Sequence, residues 1–212
     1  MTIRLNGSTS GYTEIDAPAV AGSNTLVLPT GNGSADQALV TNGSGTLSFA
    51  DRGRMTLATA QNSTSGTSID FTGIPSWVKR VMVMFNGVST NGTSIVQVQI
   101  GSGSISASGY ASTASYSNAA GAYTYATGGF ILDSTNTALA AISRSGLLQL
   151  VLVGSNTWIA SGNISGGSVG QVTNCCAGNS PALSGTLDRV RITTVNGTDT
   201  FDAGSINILY EG

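Results

Sequence analysis

The feature that most constrains this chain is how often its sequence must turn. Asn-Gly occurs six times in 212 residues, and Gly, Ser, Thr and Asn together account for nearly half of the chain. Both residues of an Asn-Gly pair tolerate positive φ, which tight turns between antiparallel strands require. Apolar residues with helical spacing are nearly absent, so the sequence predicts an all-β protein. The clearest predicted hairpin, residues 193–201, is centred on the last of these pairs, which begin at Asn6, Asn32, Asn42, Asn86, Asn91 and Asn196.

Short segments of alternating apolar and polar residues predict strands with one buried face. Valine and isoleucine alternate with glutamine over residues 96–100, and with arginine over residues 189–192. Residues 81–85 and 147–153 are almost continuously apolar, which predicts strands that are covered on both faces. Many short strands with close turns favour a β-sandwich of jelly-roll type over residues 53–212.

The first 52 residues carry too few apolar residues to form a core of their own. Those present form islands of one to three residues between Gly, Ser and Asn turns. At ~25 cal/mol per Å² of buried apolar surface, such islands cannot offset about 1–2 kcal/mol of backbone entropy per residue. This segment is therefore either disordered or shares a core with other chains, as in an intertwined threefold β shaft. We place the domain boundary at the charged cluster of residues 51–54, which gives domains of residues 1–52 and 53–212.

Charge and residue type exclude several functions. The chain has no histidine, which rules out histidine metal ligands and histidine-assisted nucleophiles. Eight basic and ten acidic residues give a net charge of −2, unlike a nucleic-acid-binding surface. The polar start predicts no signal peptide, and no apolar run is long enough to span a membrane. The adjacent Cys175 and Cys176 cannot staple distant segments, and both are expected to be reduced and inert.

Three aspartates near the end of the chain, Asp188, Asp199 and Asp202, are the best candidates for acid–base chemistry. Paired carboxylates hydrolyse glycans in some enzymes, and carboxylates also bind Ca²⁺. The simpler interpretation, which we prefer, is that these residues cap backbone groups in turns. Residues 31–33 lack the further glycine that a phosphate-binding loop would need. We therefore predict no catalytic residue, no metal site and no cofactor, and expect that the chain is not an enzyme.

A charge-free segment at residues 102–129 is the candidate binding surface. It consists almost entirely of Ser, Ala, Gly, Tyr and Thr, and it is longer than most loops that have no structure of their own. Tyrosine on a Ser and Gly background is typical of antibody contact loops, and its uncharged ring suits a neutral glycan. Packing between subunits is an equally weighted alternative, and a mobile loop is the third. Trp158 follows a turn-like stretch and is a further candidate, although burial is the favoured interpretation for it. The predicted receptor-binding residues are Tyr110, Tyr116, Tyr123, Tyr125 and Trp158.

Several stretches near the two ends of the chain resemble fibre proteins of tailed bacteriophages, of the marine and cyanobacterial type. The resemblance to an N-terminal fibre module lies in residues 11–18 (GYTEIDAP), 21–29 (AGSNTLVLP) and 41–50 (TNGSGTLSFA). Residues 69–80 (IDFTGIPSWVKR) and 201–211 (FDAGSINILYE) resemble fibre head domains. Together these stretches cover both ends of the chain, and their motifs are moderately specific.

The resemblance implies a homotrimer located in the virion, assembled in the host cytoplasm. It implies attachment to other virion proteins through the N-terminal module, and a free C-terminal knob. With the absent histidine and scarce charge, it predicts a trimeric receptor-binding tail fibre for host attachment. A capsid decoration, cement or head-fibre protein is the alternative. The expected partners are other copies of the chain, other virion proteins and a host cell-surface glycan, with neither nucleic acid nor membrane insertion.

Overall fold

The computed structural model describes residues 3–35, 37–116, 123–140, 142–167 and 172–212. Within these residues every regular element is a β-strand, so the predicted all-β class is confirmed. The chain divides into two units, Met1–Arg52 and Gly53–Gly212. This division falls inside the charged cluster of residues 51–54.

The described residues of the first unit form two antiparallel hairpins and one isolated bridge between Val27 and Thr46. Strand β1 (Ile3–Asn6) pairs with β2 (Tyr12–Ile15), and β3 (Gln37–Thr41) pairs with β4 (Leu47–Asp51). Between residues 3 and 52, no residue that the structure describes is buried. The first unit therefore has local strand pairing but no core of its own.

The described residues of the second unit form fourteen strands in two sheets. The strands are β5 (Met55–Leu57), β6 (Gln61–Asn62), β7 (Ser68–Thr72), β8 (Arg80–Thr90), β9 (Val96–Ser102), β10 (Ser104–Ile105), β11 (Ala111–Tyr116), β12 (Tyr123–Ala126), β13 (Phe130–Ile131), β14 (Ser143–Gly154), β15 (Thr157–Gly167), β16 (Val172–Asn179), β17 (Arg189–Thr194) and β18 (Phe201–Glu211). The larger sheet has nine strands in the order β12-β11-β16-β15-β14-β8-β18-β5, with β6 beside β18. The smaller sheet has five strands in the order β10-β9-β17-β7, with β13 beside β9.

One hydrophobic core joins the two sheets, and this confirms the predicted β-sandwich. It contains side chains from β7, β9 and β17 of the smaller sheet and from β8, β14, β15 and β18 of the larger one. In β8 the alternation is regular, because Val81, Val83 and Phe85 enter the core while Met82 and Met84 lie half-buried on the outer face. We call the face of the larger sheet that points away from the smaller sheet its outer face.

The two continuously apolar runs are covered by this chain on one face only. On the outer face of β14, Leu147 is 44% exposed, and Val153 near the end of that strand is 66% exposed. The prediction that these strands are covered on both faces was therefore wrong for the single chain. The smaller sheet packs against only one side of the larger sheet, and no described segment of the second unit packs over these positions.

Strand β9 was predicted to have one buried face, but both of its faces are buried. Besides its valines and isoleucine, Gln97 and Gln99 are also buried. Strand β13 pairs with β9, and the Gln99 side-chain amide donates to the Gly128 carbonyl at 2.8 Å. The glycines that precede β13 thus lie over the two glutamines, a contact between residues about thirty positions apart in sequence.

The predicted hairpin at residues 193–201 does not form. Strand β17 belongs to the smaller sheet, whereas β18 belongs to the larger one. The turn is present, since the Gly197 N–H donates to the Thr194 carbonyl at 3.0 Å and Gly197 has a φ of 69°. It connects the two sheets instead of two paired strands. The turn could be predicted because it depends on adjacent residues. The partner of each strand could not, because it depends on distant ones.

Candidate functional site

Two of the predicted site residues, Tyr123 and Tyr125, lie together at the surface. Both belong to β12, the edge strand of the larger sheet, and they are 76% and 58% exposed. They alternate with Thr124 and Ala126, which are half-buried. Because side chains two residues apart on a strand share a face, the two phenol rings stand side by side.

The surroundings of these two rings are small and uncharged. Tyr123 lies opposite Ser115 and Tyr125 opposite Thr113 across the β11–β12 pair, and both neighbours are exposed. No charged residue occurs anywhere between Val81 and Leu132. The site therefore offers ring faces for stacking and hydroxyl groups for hydrogen bonds.

The opposite face of β12 is tied to the neighbouring turn by hydrogen bonds. The Thr135 N–H donates to Thr124 Oγ1 at 2.8 Å, and the hydroxyl groups of the two threonines lie 3.1 Å apart. Strand β11 supplies the other anchor, pairing with β12 over four residues. These contacts hold an edge strand whose sequence has few apolar residues, and so they fix the direction of both tyrosines.

Tyr110 is a core residue, and its assignment to the binding surface is corrected. Its ring is buried and packs edge-on against Phe130, with ring centroids 5.0 Å apart. Its hydroxyl accepts a hydrogen bond from the Ile100 N–H at 2.9 Å and lies 3.0 Å from the Ser106 carbonyl, to which it can donate. Burial raises the pKa of Tyr110 to about 12. A glycan at the surface cannot reach this side chain.

Trp158 is also buried, which was the favoured interpretation of its sequence position. It therefore cannot belong to a binding surface. It faces the core from β15, next to the turn that contains Ser155 and Asn156. Those two residues adopt positive φ and form the exposed end of the β14–β15 hairpin, so the turn was predicted correctly. Strand alternation then directs Trp158 inward.

Tyr116 takes an intermediate position. It is half-buried at the end of β11, opposite Asn174 and on the same face as the buried Ser112 and Ala114. The predicted segment 102–129 is not one long loop, because its described parts form β10, β11 and β12. Its remaining predicted part, residues 117–122, lies outside the described residues.

The three aspartates considered for chemistry serve separate backbone and side-chain partners. Asp188 accepts from the Gly103 N–H and pairs with Arg189, whose hydrogen bond holds the pKa of Asp188 below its usual value. Asp199 accepts from the Ser94 N–H at 2.8 Å, and Asp202 bonds the Ser89 hydroxyl. Among the described residues there is also no group of three side chains suited to a metal ion.

Sequence reasoning missed a buried ion pair inside the sandwich. Arg144 Nε lies 2.7 Å from Asp133 Oδ2, and both side chains are almost fully buried. The pair is extended by hydrogen bonds from Arg144 to the Ile142 carbonyl and from the Val96 N–H to Asp133. A signal was present, because these are the only two charged residues between Arg80 and Asp188. Enclosed and paired, they are suited to a structural role.

The adjacent cysteines point to opposite faces of β16. Cys175 is exposed on the outer face, whereas Cys176 is buried in the core, and both are free thiols. Burial, followed by the nearby carboxylate of Asp133, raises the pKa of Cys176 to about 12. A thiol with such a pKa stays protonated at neutral pH.

Two further findings concern membrane-spanning helices and similarity to known proteins. Within the described ranges, no helix is long and apolar enough to cross a membrane. Comparisons of the chain with protein-family models, with curated proteins and with solved structures returned no match.

Proposed function

We propose that this chain is the subunit of a trimeric virion fibre that attaches a bacteriophage to its host. In this proposal residues 1–52 form the intertwined shaft that docks on other virion proteins, and residues 53–212 form a jelly-roll-like knob. The observation that carries it is that the first unit folds into hairpins without burying one described residue. A segment of this kind needs apolar cover from outside its own chain.

The β1–β2 hairpin illustrates this need. Ile3 lies opposite Ile15 on one face, and these two side chains are 62% and 61% exposed. The other face is satisfied within the hairpin, where Arg4 pairs with Glu14 and stacks on the ring of Tyr12 at 4.0 Å. The polar face is complete in one chain, while the apolar face is left for other chains to cover.

The proposed recognition site is the pair of exposed tyrosines on β12. Their rings stand among small hydroxyl side chains, in a stretch from Val81 to Leu132 that contains no charged residue. This chemistry supports an uncharged glycan as ligand, because stacking and hydroxyl hydrogen bonds need no ion pair. Binding should then depend only weakly on salt.

Light scattering tests the assembly part of the proposal. We expect a mass three times the 21.2 kDa of one chain. A stable folded monomer in which the first unit is protected from proteolysis would exclude it.

Substitution at the site tests the recognition part. Tyr123→Ala with Tyr125→Ala should weaken adsorption to host cells at least about tenfold, since aromatic side chains commonly dominate such surfaces. Val195→Ala, at an exposed position on the turn between β17 and β18, is the matched control. Trimer mass must stay unchanged in both variants. Normal adsorption by the double variant would exclude β12 as the site.

The alternative, a capsid decoration, cement or head-fibre protein, gives different outcomes in the same material. Such a protein would bind empty capsids and raise their thermal stability, and the isolated trimer would show no affinity for host glycans. Cleavage of polysaccharide by the purified protein would exclude both functions.

A further inference from the structure

A second surface on the larger sheet is apolar and lies away from the tyrosines. It occupies the outer face of β5, β18, β8 and β14. Leu57 is 62% exposed there, and the remaining members beside the exposed Leu147 are half-buried. We define the outer patch as Leu57, Met82, Met84, Leu147, Val151 and Leu209.

Strand register joins these side chains into continuous rows. Leu57 lies opposite Leu209, and Leu209 lies opposite Met82, so one row crosses three strands. A neighbouring row joins Met84 to Leu147. Val151 lies two positions beyond Gln149 on the same face of β14, and Gln149, which pairs with Met82, is the polar residue between them. Side chains paired directly across strands are in contact distance, and the rows therefore form one patch and not scattered exposed residues.

The patch carries no net charge. Arg80 and Glu211 lie opposite each other at its margin and form an ion pair with one another. A partner with a charged surface would gain no attraction here and would lose hydration. Two copies of the patch, in contrast, can face each other without like-charge repulsion.

The other half of the outer face has a different composition. Along the row that begins at Leu147, the next positions are Asn163, Cys175 and Ser115, all of them exposed and none of them large and apolar. In this row the change from Leu and Met to Asn, Ser and Cys occurs between β14 and β15, whereas in the row of Val151 the exposed Ile159 extends the apolar surface onto β15. Only the apolar half carries the continuous hydrophobic runs that predicted burial on both faces.

We propose that the outer patch packs against another copy of this chain and forms the contact between knobs. The choice of a second copy rests on the proposed function. If the first unit assembles with other copies, the knobs are held at high local concentration, and a modest apolar surface is then enough for contact.

The size of the patch fits a contact between tethered knobs. It covers about five residues along β18, β8 and β14 and the end of β5, which at about 3.3 Å per residue and about 4.8 Å between strands is on the order of 300 Å². A standard interface buries roughly 800 Å² per partner, so the patch alone is too small for a stable dimer. Between knobs that the first unit would hold close together, an apolar contact of this size is enough.

Thiol labelling of the full chain tests the proposal with an internal reference. In the Leu147→Cys variant the introduced thiol lies in the patch, Cys175 lies on the other half of the same face, and Cys176 is buried. Position 147 is two strands from Cys175, about 10 Å, which is too far for a disulfide. We expect maleimide to label Cys175 at least about tenfold faster than the introduced thiol in the assembled protein, with all thiols equal in denaturant.

A charge variant provides the second measurement. Leu147→Glu should raise the dissociation constant of the assembly at least about tenfold, because an unpaired carboxylate is costly to bury. Ala177→Glu, at an exposed position of β16 on the other half of the same face, is the matched control and should leave this dissociation constant unchanged.

The outcomes separate this proposal from the proposed function. A trimer in which the introduced thiol is labelled as fast as Cys175 overturns the patch contact and leaves the fibre proposal standing. A folded monomer overturns both. If both Cys175 and the introduced thiol are protected, the patch contact is supported. The partner then also covers the half of the outer face that carries Tyr123 and Tyr125, which excludes these tyrosines as the recognition site.

Discussion

At the scale of single residues, Tyr110 and Cys176 are ionisable groups held inside the sandwich. Burial raises the pKa of Tyr110 from 10.0 to about 12, and burial with the charge of Asp133 raises the pKa of Cys176 from 9.0 to about 12. Both groups are neutral when protonated, so the folded state retains protons that the unfolded state releases. Their contribution to stability is present below pH 9 and is lost as pH rises towards 12.

We therefore expect the free energy of unfolding to fall between pH 9 and 12, by about 1.4 kcal/mol per pH unit for each such group. Tyr110→Phe should make the fall above pH 10 shallower by that amount, and it should cost about 1 kcal/mol at pH 7 through its lost hydrogen bonds. Urea unfolding at several pH values measures both effects. Tyr123→Phe, at an exposed position, is the control. An unchanged slope in Tyr110→Phe would contradict this account.

At the scale of elements, the contact between β8 and β18 depends on two glycines. The register of this pair shifts twice, on either side of Ala203. Gly87 and Gly204 have φ of 66° and 91°, and a Cβ on Gly204 would overlap the backbone carbonyl of Gly87. The irregularity lets an 11-residue strand bend while its apolar residues stay in the core.

We expect Gly204→Ala to destabilise the protein by at least about 3 kcal/mol, because strain and a backbone clash act together. Gly103→Ala is the matched control: its φ is 69°, but a Cβ there meets nothing within 4 Å. It should cost about 1 kcal/mol, the conformational strain alone. Denaturant unfolding measures the free energy of unfolding of both variants. An equal decrease in the two would show that the close approach of β8 and β18 at Gly204 is unimportant.

At the scale of the whole molecule, the two units differ in where their stability comes from. The second unit has a single core shared by both of its sheets. The first has hairpins and exposed apolar side chains such as Leu28 and Leu39. A hairpin without a packed face is marginal in water. Under the proposed function, the first unit depends on association for its stability.

We expect a fragment of residues 53–212 to fold alone and to unfold cooperatively, and a fragment of residues 1–52 to be unfolded when monomeric. Circular dichroism and NMR dispersion of the two fragments measure this. Linking the short fragment to a trimerising sequence should restore its strands by raising the local concentration of chains. A folded, monomeric 1–52 fragment would contradict the dependence on association.

Local features of this chain were predictable because they depend on neighbouring residues. The strand class, the turn at Asn196 and Gly197, and the lack of a core in the first 52 residues follow from alternation, positive φ and composition. The tyrosine segment was identified as unusual, but its residues could not be sorted into buried and exposed positions. That sorting depends on which face of a strand meets the other sheet.

The sequence alone therefore determined that the regular elements are strands joined by tight turns, and which apolar residues need to be buried. Only the tertiary structure decided that β17 and β18 join different sheets, that Tyr110 turns inward while Tyr123 and Tyr125 turn outward, and that Asp133 meets Arg144. The physical reason is that strand pairing and sheet packing are contacts between distant segments, which no local pattern specifies. The outer face of β8 and β14 illustrates both, since its apolar residues predict burial and the fold of one chain leaves Met82 and Met84 half-buried and Leu147 exposed.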